Sequence, residues 1–192
     1  MERYLVIVLM GGLGNRMHQI ASGMGLAKTL GRVLACCPQL NQKDPHSPSE
    51  RDAVDEWLLR GVKCINLSKR DMRMYKETKP REYCGDEIEL LSRKCGDAPL
   101  CLYGYFQSPL YFANMVEEER AYLSEPPAWL HIPDVEADWF VHVRRGDYVG
   151  NPIHDVVPPA YFEKCMRLLP QADSKLMFSD CPSTSAFYKT RW

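Results

Sequence analysis

Apolar positions along the chain fall into short unbroken runs, separated by segments in which they recur every three or four residues. The first run, Tyr4-Leu5-Val6-Ile7-Val8-Leu9-Met10, has no polar interruption, as expected for a central parallel strand covered on both faces. It ends in Gly11-Gly12-Leu13-Gly14-Asn15. Residues 16–30 then place Met17, Ile20, Met24, Ala27 and Leu30 at helical spacing, and Gly31 is a suitable stop. The opening therefore reads as strand, glycine-rich loop, helix. Strands are expected over residues 33–37 and 62–67, with a surface loop over 38–52 and a short helix over 53–59 between them. Residues 68–81 are charged and irregular, and a helix is expected over 87–93. The run from Pro99 to Ser108 reads as a strand entering a polar edge, and Pro109 as the start of a helix carrying Leu110, Phe112, Ala113, Val116 and Tyr122.

Prolines 126, 127 and 133 mark the best boundary. They divide the chain into a first lobe over residues 1–124, a linker over 125–136 and a second lobe over 137–192. The second lobe is expected to hold a strand over 139–143, a helix over 160–169 and a strand over 175–180. Ser183 or Thr184 could cap a further helix. That is about 56 residues with little core to bury, so this lobe is expected to be incomplete. Strands alternating with helices place the chain in the α/β class.

Composition adds constraints. Of 192 residues, 45% are hydrophobic and 26% charged, which allows a substantial core. Lys plus Arg is 24 and Asp plus Glu is 25, so no global basic field draws in nucleic acid or acidic membrane, and any anion site is local. The run from Tyr4 to Met10 is too short to span a bilayer and follows Met1-Glu2-Arg3 without the layout of a signal peptide. A cytoplasmic protein without a transmembrane segment is expected. The eight cysteines form no CxxC pair and no zinc-like spacing, and they read as buried or idle thiols.

The candidate chemistry concentrates in Trp139-Phe140-Val141-His142-Val143-Arg144-Arg145-Gly146-Asp147-Tyr148, an apolar run that ends in two arginines, a glycine and an aspartate. Ligands of open α/β sheets bind at the carboxyl ends of strands, and two guanidinium forks there suit a diphosphate. A structural Arg–Asp ion pair is the competing reading, and an adhesion tripeptide a weaker one. The loop from Gly11 to Asn15 brings backbone N–H groups and a helix N-terminus to the same edge; its glycines would equally serve tight strand–helix packing. Tyr103, Tyr105 and Phe106 read as core, or Tyr105 and Gln107 as a sugar-binding pair.

Four stretches together resemble the α-1,2-fucosyltransferase family: Gly11-Gly12-Leu13-Gly14-Asn15-Arg16-Met17 with Gln19 and Ala21; Gly104-Tyr105-Phe106-Gln107-Ser108; His142-Val143-Arg144-Arg145-Gly146-Asp147-Tyr148; and Phe178-Ser179-Asp180. The family's patterns are GGLGNQMFQ, GYFQS, HxRRGDY and FSDD. The resemblance implies a GT-B-like architecture of two Rossmann-like lobes with parallel sheets. It also implies inverting transfer of L-fucose from GDP-β-L-fucose to a sugar 2-hydroxyl, often galactose, with no cofactor and no required metal. Its partners are then GDP-fucose and a glycan acceptor. Arg144 would hold the donor's β-phosphate, supported by Arg145 through Asp147, with His142 and Asp180 lining the donor side. Asn15 would face the cleft with Gly12 and Gly14. Asp147 and His18 are the candidates for general base. Arg16 and His18 stand where the family has Gln and Phe, on what reads as a cleft-facing loop, and Cys181 replaces the second Asp of FSDD. The chain ends before the family's later motifs, so an inactive nucleotide-sugar or anion-binding module is the alternative reading.

Overall fold

The computed structural model describes residues 2–41, 50–68, 70–79, 81–125, 136–152, 155–169 and 174–179. The chain divides into two compact units, Met1–Leu130 and His131–Trp192.

The first unit is built on a five-stranded, all-parallel sheet. Its strands are β1 (Tyr4–Ile7), β2 (Val33–Cys36), β3 (Lys63–Cys64), β4 (Arg73–Lys76) and β5 (Leu100–Tyr103), in the order β3-β2-β1-β5-β4. β1 is central, with Leu5 beside both Leu34 and Leu100. Residues 5–10 are all buried, so the uninterrupted apolar run reflects cover on both faces. Helices α1 (Leu13–Leu30), α2 (Glu50–Leu58) and α3 (Gly85–Cys95) follow β1, β2 and β4. They pack on the face that carries Leu5, Ile7, Leu9, Cys36, Leu100 and Leu102, contributing Ile20, Leu26, Leu58 and Ile88. The opposite face carries Val6, Val8, Met10, Ala35, Cys37 and Cys101. Among the described residues its cover includes Leu40, Ile65, Leu67 and Met72, on connecting segments rather than α-helices. The order places β1 beside β5, so the loops that follow these two strands emerge side by side at the sheet's carboxyl edge.

α1 lies close against the sheet and against the segment after β5. A Cβ at Gly25 would stand 2.2 Å from the Tyr111 carbonyl oxygen, so only glycine admits that contact. The helix stops at Gly31, whose φ of 58° is left-handed, with the Arg32 N–H on the Ala27 carbonyl at 2.9 Å. α4 (Val116–Ser124) closes the unit, and Trp57 Nε1 donates to the Glu125 carbonyl at 2.6 Å.

Three sequence expectations need correcting. α1 starts at Leu13 rather than residue 16, so Asn15, Arg16 and His18 are helical and not in a loop. The segment over 68–81 contains a strand, β4. It lies at the sheet edge with Arg73, Met74 and Lys76 exposed and Tyr75 half-buried, so it lacks the apolar run that betrays a central strand. Pro109 starts only a single tight turn, Pro109–Tyr111; the helix begins at Val116.

In the second unit, β6 (Trp139–Val143) and β7 (Lys175–Ser179) pair in parallel, and α5 (Pro159–Leu168) lies between them in the chain. Val143 and Phe162 are buried, with Val141 and Met177 against them. Asp138 and Ser174 join the strand starts through reciprocal bonds, each backbone N–H donating to the other's side chain at 3.0 Å. Ser183 and Thr184 lie outside the described residues. No helix among the described residues is long and apolar enough to cross a membrane.

Candidate functional site

The loops after β1 and β5 are stitched together by side chains of α1. Gln19 is 2% exposed; its Oε1 accepts from the Met10 N–H at 3.0 Å and its Nε2 donates to the Gly104 carbonyl at 2.8 Å. One turn on, the buried Ser22 hydroxyl donates to the Phe106 carbonyl at 2.8 Å. One turn back, Asn15 Oδ1 accepts from Gln107 Nε2 at 2.7 Å. Positions 15, 19 and 22 share one face of the helix. A single helical stripe therefore sets the position of the Gly104–Gln107 segment against the Gly11–Asn15 segment.

Gly11 adopts φ of 74°, and a Cβ there would lie 2.6 Å from Asn15 Nδ2 and 3.0 Å from Tyr105 Cε1. Both its conformation and its neighbours demand glycine. Gly11, Asn15, Tyr105 and Gln107 are all half-buried, so they form one patch that is braced from below and open above. Gly12 and Gly14 are exposed, and a Cβ at either meets nothing within 4 Å. The competing role of these two glycines, tight strand–helix packing, is thereby set aside. They lie at the N-terminus of α1, where the first N–H groups have no partner within the helix.

Glu77, just past β4, completes the brace. Its carboxylate accepts from the Tyr105 N–H at 2.7 Å and the Phe106 N–H at 3.0 Å. Phe106 has φ of 49°, a left-handed conformation unusual for a bulky side chain. Held at its N–H by Glu77 and at its carbonyl by Ser22, the Phe106 backbone is fixed on both sides while its ring is buried at 2% exposure. A Cβ at Gly104 would lie 2.4 Å from Glu77 Cβ, so that glycine admits the acid. Such strain concentrates at binding surfaces. Glu77 escaped the sequence reading because it sits in the segment taken as an irregular charged stretch.

Arg16 does not face a cleft. It is 1% exposed, its Nε donates to the Gly11 carbonyl at 2.9 Å, and Nη1 pairs with Asp55. It anchors the glycine-rich turn from beneath. His18 lies on α1 with its ring 6.1 Å from that of Phe112, and its buried Nδ1 has no hydrogen-bond partner among the described residues.

In the second unit, His142 is exposed on β6, and Arg144 and Arg145 follow the strand directly. The turn Gly146–Tyr148 closes with the Tyr148 and Val149 N–H groups on the Arg145 carbonyl, each at 2.9 Å. It carries Tyr148 beneath Arg144, whose guanidinium carbon lies 4.6 Å from the ring centroid. Stacking occupies the face of a guanidinium, while its five donors lie in the plane. Asp147 belongs to this turn. Asp180 lies outside the described residues. Among the described residues no cluster of His, Cys, Asp and Glu is placed to hold a metal.

No protein-family model, curated protein or solved structure matches this chain.

Proposed function

We propose that the protein is an α-1,2-fucosyltransferase, transferring L-fucose from GDP-β-L-fucose to a sugar 2-hydroxyl with inversion, in a GT-B-like arrangement. The observation that carries the reading is the bond between Asn15 and Gln107 across 92 residues of sequence. Two of the stretches that resemble the family, remote along the chain, meet at the carboxyl edge where α/β sheets hold their ligands. In this reading Tyr105 offers a ring face to a sugar, Asn15 and Gln107 offer amides to its hydroxyls, and Gly12 and Gly14 leave room for close approach.

Breaking the bond between fucose and phosphate leaves GDP with additional negative charge. Arg144, oriented by Tyr148, and Arg145 supply fixed cations for it. The resemblance gives His142 and Asp180 the donor side. Inversion needs a base for the acceptor hydroxyl, and Asp147 takes that role. No metal is required.

A coupled assay for GDP release, with GDP-fucose and β-galactoside acceptors in the presence of EDTA, tests the reading. Turnover is expected, with Arg144→Ala slowing it by about 10²–10³ and Asp147→Asn by about 10²–10⁴. Calorimetric GDP binding without turnover across a broad acceptor panel would replace the enzyme with a binding module. Absence of both would remove the donor site altogether.

A further inference from the structure

On the sheet face opposite the helices lies a cavity of about 300 Å³ lined by Val8, Leu40, Met74, Lys76 and Tyr103. Register explains the grouping. Met74 pairs with Cys101 and Lys76 with Tyr103 in the β4–β5 ladder. Alternate residues of a strand share a face, so Met74 and Lys76 project together with Cys101 and Tyr103. Val8 adds the floor just past β1, and Leu40 the wall just past β2. Met74 is 46% exposed, an unbranched apolar side chain held open to solvent beside a half-buried tyrosine. Among the described residues of the lining, Lys76 is the charged one. Its ammonium lies 5.9 Å from the Tyr103 ring centroid, and its acidic neighbour Glu77 is turned to the Tyr105 and Phe106 N–H groups.

Small-molecule pockets start at about 300 Å³ and combine mostly apolar walls with a few polar groups that fix orientation. Here the walls are aliphatic and aromatic and the polar group is a cation. We propose that this pocket binds a small aromatic carboxylate, its ring between Met74 and Tyr103 and its carboxylate on Lys76. The site is separate from the proposed transfer reaction and does not depend on it.

The test uses the full chain and two bicyclic probes of the same shape, 2-naphthoate and neutral 2-naphthamide, which differ in charge and in one oxygen exchanged for NH2. Both are titrated by calorimetry and by amide-shift mapping. 2-Naphthoate is expected to bind about fivefold more tightly than the amide, with shifts centred on Val8, Met74, Lys76 and Tyr103. Lys76→Gln, at an exposed position, is expected to equalise the two probes, and Lys76→Arg to keep the preference. Met74→Trp, which fills the pocket, is expected to abolish binding of both. Equal affinity of the wild type for acid and amide would overturn the proposal. So would a preference for the acid that survives Lys76→Gln, or shifts centred elsewhere on the molecule.

Discussion

Asn15 on the first turn of α1 accepts a hydrogen bond from the side-chain amide of Gln107 at 2.7 Å, joining the turns that follow β1 and β5. Both residues are half-buried, so the bond is partly shielded from water. Removing either partner leaves the other to be satisfied by solvent, and a net loss of about 1 kcal/mol is expected for Asn15→Ala or Gln107→Ala. Because the two act on one bond, the double variant should lose less than the sum of the singles. A double-mutant cycle by urea unfolding would read a coupling of about 0.5–1.5 kcal/mol. Coupling near zero would mean that the two turns are held by Gln19 and Ser22 alone.

Glu77 and Gly104 form a second dependent pair. Two backbone N–H groups donate to the Glu77 carboxylate, and hydrogen bonds to a charged group contribute about 1.5–3 kcal/mol each. Glu77→Ala removes both and leaves Phe106 in its left-handed conformation unsupported, so a loss of about 3 kcal/mol or more is expected. Glu77→Gln keeps the shape but has a single amide oxygen, and it should fall between. Gly104→Ala places a Cβ 2.4 Å from that of Glu77 and should displace the acid. Because Glu77→Ala keeps the Cβ at position 77, the clash persists in the double variant, and Gly104→Ala should still lower stability there. Urea midpoints of the three single variants and the double provide the check.

The legibility of these features follows cover and charge. β1 could be read directly because both faces of residues 5–10 are buried, which forces an apolar run. β4 could not, because an edge strand with three exposed residues of four carries no such run. Without β4, Glu77 is one residue of a charged, irregular stretch, although its position after an edge strand delivers it to the Tyr105 turn. Arg16 departs from its loop reading for another reason. The glycine run suggests a cleft-facing loop there, but Arg16 is helical and pairs with Asp55 on α2, 39 residues away, a partner that sequence spacing does not announce. Gly12 and Gly14 were flagged as a pair, yet Gly11 is the one with positive φ and crowded neighbours. A glycine run indicates a turn without saying which member bends.

Cysteine titration predicts an alkaline weakness. Burial pushes the Cys101 thiol up to about 12 from an ordinary value of 9.0, with neighbouring Cys37 adding to the effect. Burial likewise pushes Cys36 up to about 12, helped by its contact with Cys64. Below about pH 9 both folded and unfolded chains hold these protons. Between about 9 and 12 the unfolded chain releases them and the folded chain does not, so stability falls as pH rises through that window. Each thiol contributes up to about 1.4 kcal/mol per pH unit. Cys101→Ala starts less stable because it leaves a small void, but its stability should decline less steeply above about pH 9. Urea unfolding of both proteins at about pH 8 and pH 10 measures the difference in slope; equal slopes would assign the alkaline loss to other groups.

Arg32 supplies the firmest stability prediction, at the sheet's amino edge and so away from the ligand-facing loops. It is 6% exposed and makes five hydrogen bonds. Nε donates to the Ser92 hydroxyl at 2.7 Å, Nη1 to the Tyr4 and Ala98 carbonyls at 3.2 and 2.9 Å, and Nη2 to the Ser92 and Gly96 carbonyls at 3.0 and 2.8 Å. These bonds tie the start of β1 to the end of α3 and the approach to β5. Desolvation lowers the pKa of this guanidinium from its ordinary value, and arginine keeps its proton in proteins. Lysine keeps the charge but has three donors and no fork, so Arg32→Lys should strand at least two acceptors and cost about 2 kcal/mol or more. Arg32→Met should cost more, because every carbonyl in the nest loses its donor. Urea unfolding should show both losses. Ligand affinity measured below the unfolding transition should stay at the wild-type value, since the Asn15–Gln107 edge is fixed by other residues. A change in affinity without a change in stability would contradict this division of labour between the two ends of the sheet.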